Sequence, residues 1–95
     1  MVRHIVMFWL KETTPEIITE TIKLLKSMEG RIPGLVTIEA GSDVIGDERS
    51  CDICLNCLFT DLSALKNYRT HPVHLPVQAH MHRVRERSAS ADYIV

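Results

Sequence analysis

An excess of charge of either sign is missing from this chain. Eleven Lys and Arg stand against twelve Asp and Glu, a formal net charge of -1. A balance this close to neutral gives no general attraction for nucleic acid. The basic residues Arg83, Arg85 and Arg87 are interrupted by Val84 and Glu86 and read as the solvated end of a helix. Long apolar runs are missing as well. The N-terminal stretch through Leu10 offers a run of about six apolar residues, far short of a membrane span, and no small-residue cleavage site follows it. A cytoplasmic protein with no membrane partner is the expectation. Cysteine is scarce and odd in number, at three, which fits a reducing compartment better than a disulfide framework. There is no phosphate-binding glycine loop, no Gly-x-Ser-x-Gly elbow and no dinucleotide fingerprint. No cofactor is expected.

What is present is the composition of a globular protein, 45% hydrophobic and 24% charged. Residues 1–95 are expected to form a single domain, large enough for a core but small enough that an exposed sheet face would need covering. The run Cys51-x-x-Cys54-x-x-Cys57 superficially resembles an iron–sulfur motif. It lacks a fourth thiolate, and on an extended strand from Cys51 to Phe59 the three cysteines would alternate faces, with Cys54 pointing away from the other two. Small buried hydrophobes are the simpler reading. Asp43, Asp47 and Glu48 lie in a polar link without the ligand spacing of a calcium loop.

Along the chain, Arg3–Leu10 reads as a strand apolar on both faces. Thr13-Thr14-Pro15-Glu16 opens a helix, with Thr13 and Glu16 placed as a capping box, and Ile17, Ile18, Ile22, Leu24, Leu25 and Met28 form its apolar stripe up to Gly30. Pro33-Gly34 turns into a second strand from Leu35 to about Ala40, with a bulge expected at Gly41. After the third strand, Asp61 caps a helix bearing Leu62, Leu65 and Tyr68. Val77, Met81 and Val84 then resume helical spacing, and Ala91–Val95 makes a short last strand. The order is βαββαβ, the ferredoxin-like α+β arrangement of a four-stranded antiparallel sheet with its helices on one face. The other face stays open. With His4, Val6, Phe8, Ile53, Leu55, Cys57 and Phe59 assigned to it, that face should be covered by a second copy of the chain, giving a homodimer.

The candidate site is Tyr68-Arg69-Thr70-His71-Pro72-Val73-His74-Leu75-Pro76. Two prolines interrupt helical structure there and leave irregular backbone carrying two imidazoles and a phenol. The competing reading makes Tyr68 a core aromatic with its hydroxyl bonded to backbone, and His71 a cap near Pro72. His4 on its apolar strand would ordinarily be a satisfied core or interface histidine. His80 and His82, two apart on a helix, point to different sides and are expected at the surface or an interface.

The opening Val2-Arg3-His4-Ile5-Val6 with Phe8, the Asp61–Leu65 helix start, Tyr68-x-x-His71-Pro72-x-His74 and the closing Ala91-Asp92-Tyr93 together resemble the stress-responsive dimeric α/β-barrel domain (Dabb) proteins. The resemblance covers essentially the whole chain and implies a ferredoxin-like protomer pairing into a dimeric barrel. It is similar, too, to a plant polyketide cyclase that closes its substrate without metal or organic cofactor. By that likeness the catalytic tyrosine falls on Tyr68, the catalytic histidine on His74 and an N-terminal pocket histidine on His4, while a further pocket histidine falls on Ile53, which removes a polar group. Ligand contacts are accordingly expected at His4, His71, Ile53 and Leu55.

The residues themselves suit that chemistry. A histidine titrating near neutrality takes a proton from carbon or oxygen, and a buried tyrosine polarises a carbonyl as its enolate forms. The expected function is binding of a small apolar or carbonyl-bearing molecule with cofactor-independent, cyclase- or isomerase-like acid–base chemistry. The alternative is a stress-protective or carrier dimer without turnover.

Overall fold

The computed structural model describes residues 1–95. Strand β1 (Val2–Leu10) leads to helix α1 (Pro15–Lys26), then to strands β2 (Leu35–Ser42) and β3 (Ile53–Phe59), helices α2 (Leu62–Tyr68) and α3 (His74–Val84), and strand β4 (Arg85–Ile94). The sheet order is β2-β3-β1-β4, with every neighbouring pair antiparallel. This is the ferredoxin-like fold. No helix is long and apolar enough to cross a membrane.

Local chemistry sets the element ends. Pro15 takes the first helical position of α1, where its missing N–H is harmless, so the cap is Thr14 rather than Thr13. Its hydroxyl accepts from the Ile17 amide at 3.3 Å. The helix stops at Lys26, short of Gly30, where the Ser27 amide closes the last turn on carbonyls of Lys23 and Leu24. Asp61 caps α2 as expected, accepting from the Ala64 amide at 2.8 Å. Gly34, at φ +81°, has no room for a side chain, since a Cβ there would stand 2.5 Å from that of Ala64. The bulge in β2 falls between Leu35 and Thr37, not at Gly41.

Two strand boundaries differ from the sequence reading. Strand β3 begins at Ile53, which leaves Cys51 in the preceding loop. The pKa of the Cys51 thiol is raised by burial first and by Cys54 second. Cys57 is buried on the helix side, its thiol pushed up to about 12 by desolvation. Strand β4 begins directly after Val84 and runs ten residues, far longer than Ala91–Val95. That extension supplies a second neighbour along the whole of β1.

The buried face of the sheet also differs from the expectation. Val2, His4, Phe8 and Leu10 of β1 and Ile53, Leu55, Cys57 and Phe59 of β3 are buried on the helix side, with Val6 half-buried beside them. They pack with Leu25, Met28, Leu65, Tyr68, Val77 and Met81. None of the seven residues assigned to the open face lies there. The opposite parity carries Arg3, Ile5, Met7 and Trp9, paired with Leu58, Asn56 and Cys54 on one side and with Tyr93, Ala91, Ala89 and Arg87 on the other. Arg87 covers the Trp9 ring at 3.7 Å, a cation–π contact that shields part of this apolar face.

Candidate functional site

A cavity of about 380 Å³ lies between the helix side of β1 and β4 and the helices α2 and α3. Its apolar wall includes Val6, Phe8, Leu25, Leu55, Val77 and Met81, and its polar groups include Tyr68, His74 and His4. The volume is that of a small-molecule site.

Each polar group is placed by its own element. Tyr68 ends α2 and is only 3% exposed. Its ring packs against Phe59 at 5.0 Å and His74 at 4.1 Å between centroids, and edge-on to His4 at 5.9 Å. The Tyr68 hydroxyl bonds to no backbone or side-chain group, yet no fully buried side-chain polar atom lacks a partner, so this hydroxyl keeps some exposure on a residue that lines the cavity. Burial raises its pKa well above the ordinary tyrosine value, with the neighbouring Cys57 thiol adding to the effect. At neutral pH it is a donor.

His74 opens α3 after the Pro72 turn. Its Nδ1 lies 3.2 Å from the Arg69 carbonyl oxygen. A carbonyl only accepts, so Nδ1 carries the proton and Nε2 of the neutral ring keeps its lone pair. Burial lowers the His74 pKa, the Arg69 bond opposes this, and His4 and His71 push in the same direction as burial. The ring is therefore a neutral base near pH 7.

His4 is 9% exposed and has a partner the sequence reading did not single out. The β1–β4 register sets Asp92 directly opposite His4, and its Oδ1 lies 2.5 Å from His4 Nδ1. A carboxylate on Nδ1 fixes the tautomer and orientation of an imidazole, as in hydrolase triads. Asp92 lies within the strand expected over Ala91–Val95, but its place opposite His4 depends on the β1–β4 register, which periodicity does not fix.

Three anticipated residues sit elsewhere. Ile53 is fully buried in the core and forms no part of the cavity wall. His71 lines a separate depression with Gly34 and Thr60, and its Nδ1 accepts from the Val73 amide at 3.1 Å, a local bond in the turn between α2 and α3 rather than a cap on either helix. His80 is buried, not superficial, with Nε2 2.9 Å from the Thr21 hydroxyl. His82, in contrast, is exposed and lines the cavity. No group of three or more His, Cys, Asp or Glu is placed to hold a metal.

Comparison with known proteins gives the same architecture. A dimeric ferredoxin-like protein of unknown function from Bacteroides fragilis is 26% identical, over 99% of this chain and 95% of that one, with a TM-score of 0.86. A hydroxynitrile lyase from Passiflora edulis is 19% identical over 99% and 92%, with a TM-score of 0.85. A cofactor-independent oxygenase from Streptomyces nogalater is 15% identical over 99% and 91%, with a TM-score of 0.78. At such identities the two enzymes share the fold alone. No protein of curated function matches the sequence. The Stress responsive A/B Barrel Domain matches residues 2–95, which is nearly the whole chain, and the chain belongs to that family, Dabb.

Proposed function

We propose that this protein binds a small, apolar, carbonyl-bearing molecule in the cavity and removes a proton beside the carbonyl without a cofactor. The observation that carries the reading is the unpartnered Tyr68 hydroxyl, in a ring otherwise sealed in the core and stacked 4.1 Å from His74. A core tyrosine kept only for packing has no use for a hydroxyl with no partner. In the proposed reaction His74 Nε2 takes the proton from carbon and becomes imidazolium. The electron pair moves onto the carbonyl oxygen, and the Tyr68 O–H donates to the enolate so formed. Return of the proton to the product carbon or oxygen regenerates neutral His74. His4, held by Asp92, orients the ligand from the sheet side. The cofactor-independent oxygenase and the lyase among the similar structures support this class of chemistry by analogy of fold.

The protein is further proposed to work as a homodimer. Ile5, Met7, Leu58 and Ala91 lie on the face of the sheet that no helix covers, and the similar Bacteroides fragilis protein is dimeric. Light scattering at micromolar concentration should give twice the mass of the chain, and the monomer mass would overturn the paired sheets. For the site itself, a thermal-shift screen of phenolic, β-diketone and fatty-acyl ligands is run on wild type, Tyr68→Phe and His74→Ala. A ligand that stabilises wild type and loses its effect in either variant supports the pocket. Equal stabilisation of all three overturns the roles given to Tyr68 and His74. Stabilisation without turnover would favour the carrier dimer.

A further inference from the structure

The cavity has a second end, away from Tyr68. On the helix side of β4 the residues are Arg85, Ser88, Ser90 and Asp92, opposite Leu10, Phe8, Val6 and His4 of β1. Across the cleft, α3 presents His74, Gln78 and His82 to the same cavity, at the i, i+4, i+8 spacing that aligns one helix face. Helix α3 passes into β4 at Val84–Arg85 with no loop, so the two elements form a V with Arg85 at its apex. The Tyr68–His74–His4 cluster sits between its arms.

The charges are one-sided. Two arginines, Arg69 and Arg85, line the cavity, and no carboxylate does. The molecule's one salt bridge is that of His4 with Asp92, so neither guanidinium is neutralised. Arg69 is exposed, whereas Arg85 is half-buried and makes a 2.7 Å, solvent-exposed hydrogen bond from Nη1 to Ser88 Oγ. A held, unpaired guanidinium beside an apolar wall matches the two oxygens of a carboxylate in its own plane.

We infer that the ligand is an extended keto acid, its carboxylate bound by Arg85 and its carbonyl held at Tyr68 and His74. The inference rests on the proposed function and adds the chemical class of the substrate. Length follows from the strand. Ser88, bonded to Arg85, and Asp92, bonded to His4 beside Tyr68, are four residues apart, roughly 13 Å at the usual strand rise, so a ligand reaching both ends carries acid and carbonyl at opposite ends of a medium chain. Arg85 is then the residue that selects anionic over neutral ligands.

The test compares 9-oxodecanoate with its methyl ester by calorimetric titration of wild type, Arg85→Gln and Arg85→Lys. The acid should bind wild type about tenfold or more tightly than the ester, the scale of one charge-assisted pair. Arg85→Gln should bring the acid to the ester's affinity and leave the ester unchanged, and Arg85→Lys should recover part of the difference. Unchanged ester binding shows that the variant is folded. Equal binding of acid and ester to wild type overturns the carboxylate assignment and leaves the proposed function standing if Tyr68→Phe weakens both. Loss of acid and ester alike in Arg85→Gln also overturns it, and binding of neither ligand to wild type overturns both proposals.

Discussion

Strands β3 and β4 flank the same central strand and turn alternate residues to the same side of the sheet. On β3 those residues are Ile53, Leu55, Cys57 and Phe59, all at most 2% exposed, whereas on β4 they are Arg85, Ser88, Ser90 and Asp92, none of them buried. The same topology therefore gives a sealed half and an open half. Hydrophobic burial draws the helices onto β3, and the polar row of β4 offers no such reward, so a cavity persists between β4 and α3. Tyr68 lies at the boundary, with its ring in the sealed half and its hydroxyl facing the open one.

The largest effect should come from emptying the sealed half. Phe59→Ala removes a fully buried ring that packs on both Tyr68 and His4 and should destabilise the protein by about 3–5 kcal/mol in urea unfolding. Thr21→Val is next. It keeps the shape of a fully buried side chain but strips His80 of its partner, at a cost of about 1–3 kcal/mol. A loss much smaller than this would mean that His80 finds water and that the sealed half is less dry than described.

The open half should behave differently. His74 has a depressed pKa in the folded protein, caused chiefly by burial. The unfolded chain takes up that proton as the pH falls through about 6.5, while the folded chain resists until its own lower value. Stability contributed by neutral His74 is present above about 6.5 and is lost as the pH falls toward the folded pKa. Denaturation of wild type and His74→Gln between pH 5 and 8 should show a shallower acid limb in the variant. Activity should fall on the same limb, with its midpoint below the ordinary histidine value.

Smaller still is Ser90→Leu, which fills the cavity from β4. It should leave stability within about 0.5 kcal/mol, as an exposed position does, and abolish any ligand-induced thermal shift. Tyr68→Phe should be the most lopsided change. With no protein partner to lose, the hydroxyl can be removed at a cost of under about 0.5 kcal/mol, and the catalytic effect should be the larger one. A destabilisation comparable to that of Thr21→Val would move the Tyr68 hydroxyl into the sealed half.

The ferredoxin-like arrangement was legible because turn residues such as Pro33-Gly34 and the Asp61 cap punctuate clear periodic segments, with the second helix of the βαββαβ order divided into α2 and α3. The parity of β1 was not. With His4, Val6 and Phe8 on one side and Ile5, Met7 and Trp9 on the other, both faces are rich in large side chains, and only packing against the helices decides which is inside. Strand β4 was read too short because Arg85-Glu86-Arg87-Ser88 continues a helix as readily as it starts a strand, and pairing with β1 overrides that weak preference. Asp92 falls inside the strand expected from Ala91, but its partner His4 follows only from the β1–β4 register. Tyr68 and His74 were legible as a site candidate through Pro72 between them and Pro76 just beyond, whereas the separate position of His71 follows from a local bond to the Val73 amide that spacing does not reveal.

The central claim is proton removal by His74 assisted by Tyr68. Its most direct test is proton NMR of 9-oxodecanoate in deuterium oxide, following loss of the signals beside the ketone. Wild type should accelerate that exchange over buffer, with Tyr68→Phe and His74→Gln both falling back toward the buffer rate while remaining folded. Exchange at the buffer rate with wild type, or at the wild-type rate with both variants, would contradict the account.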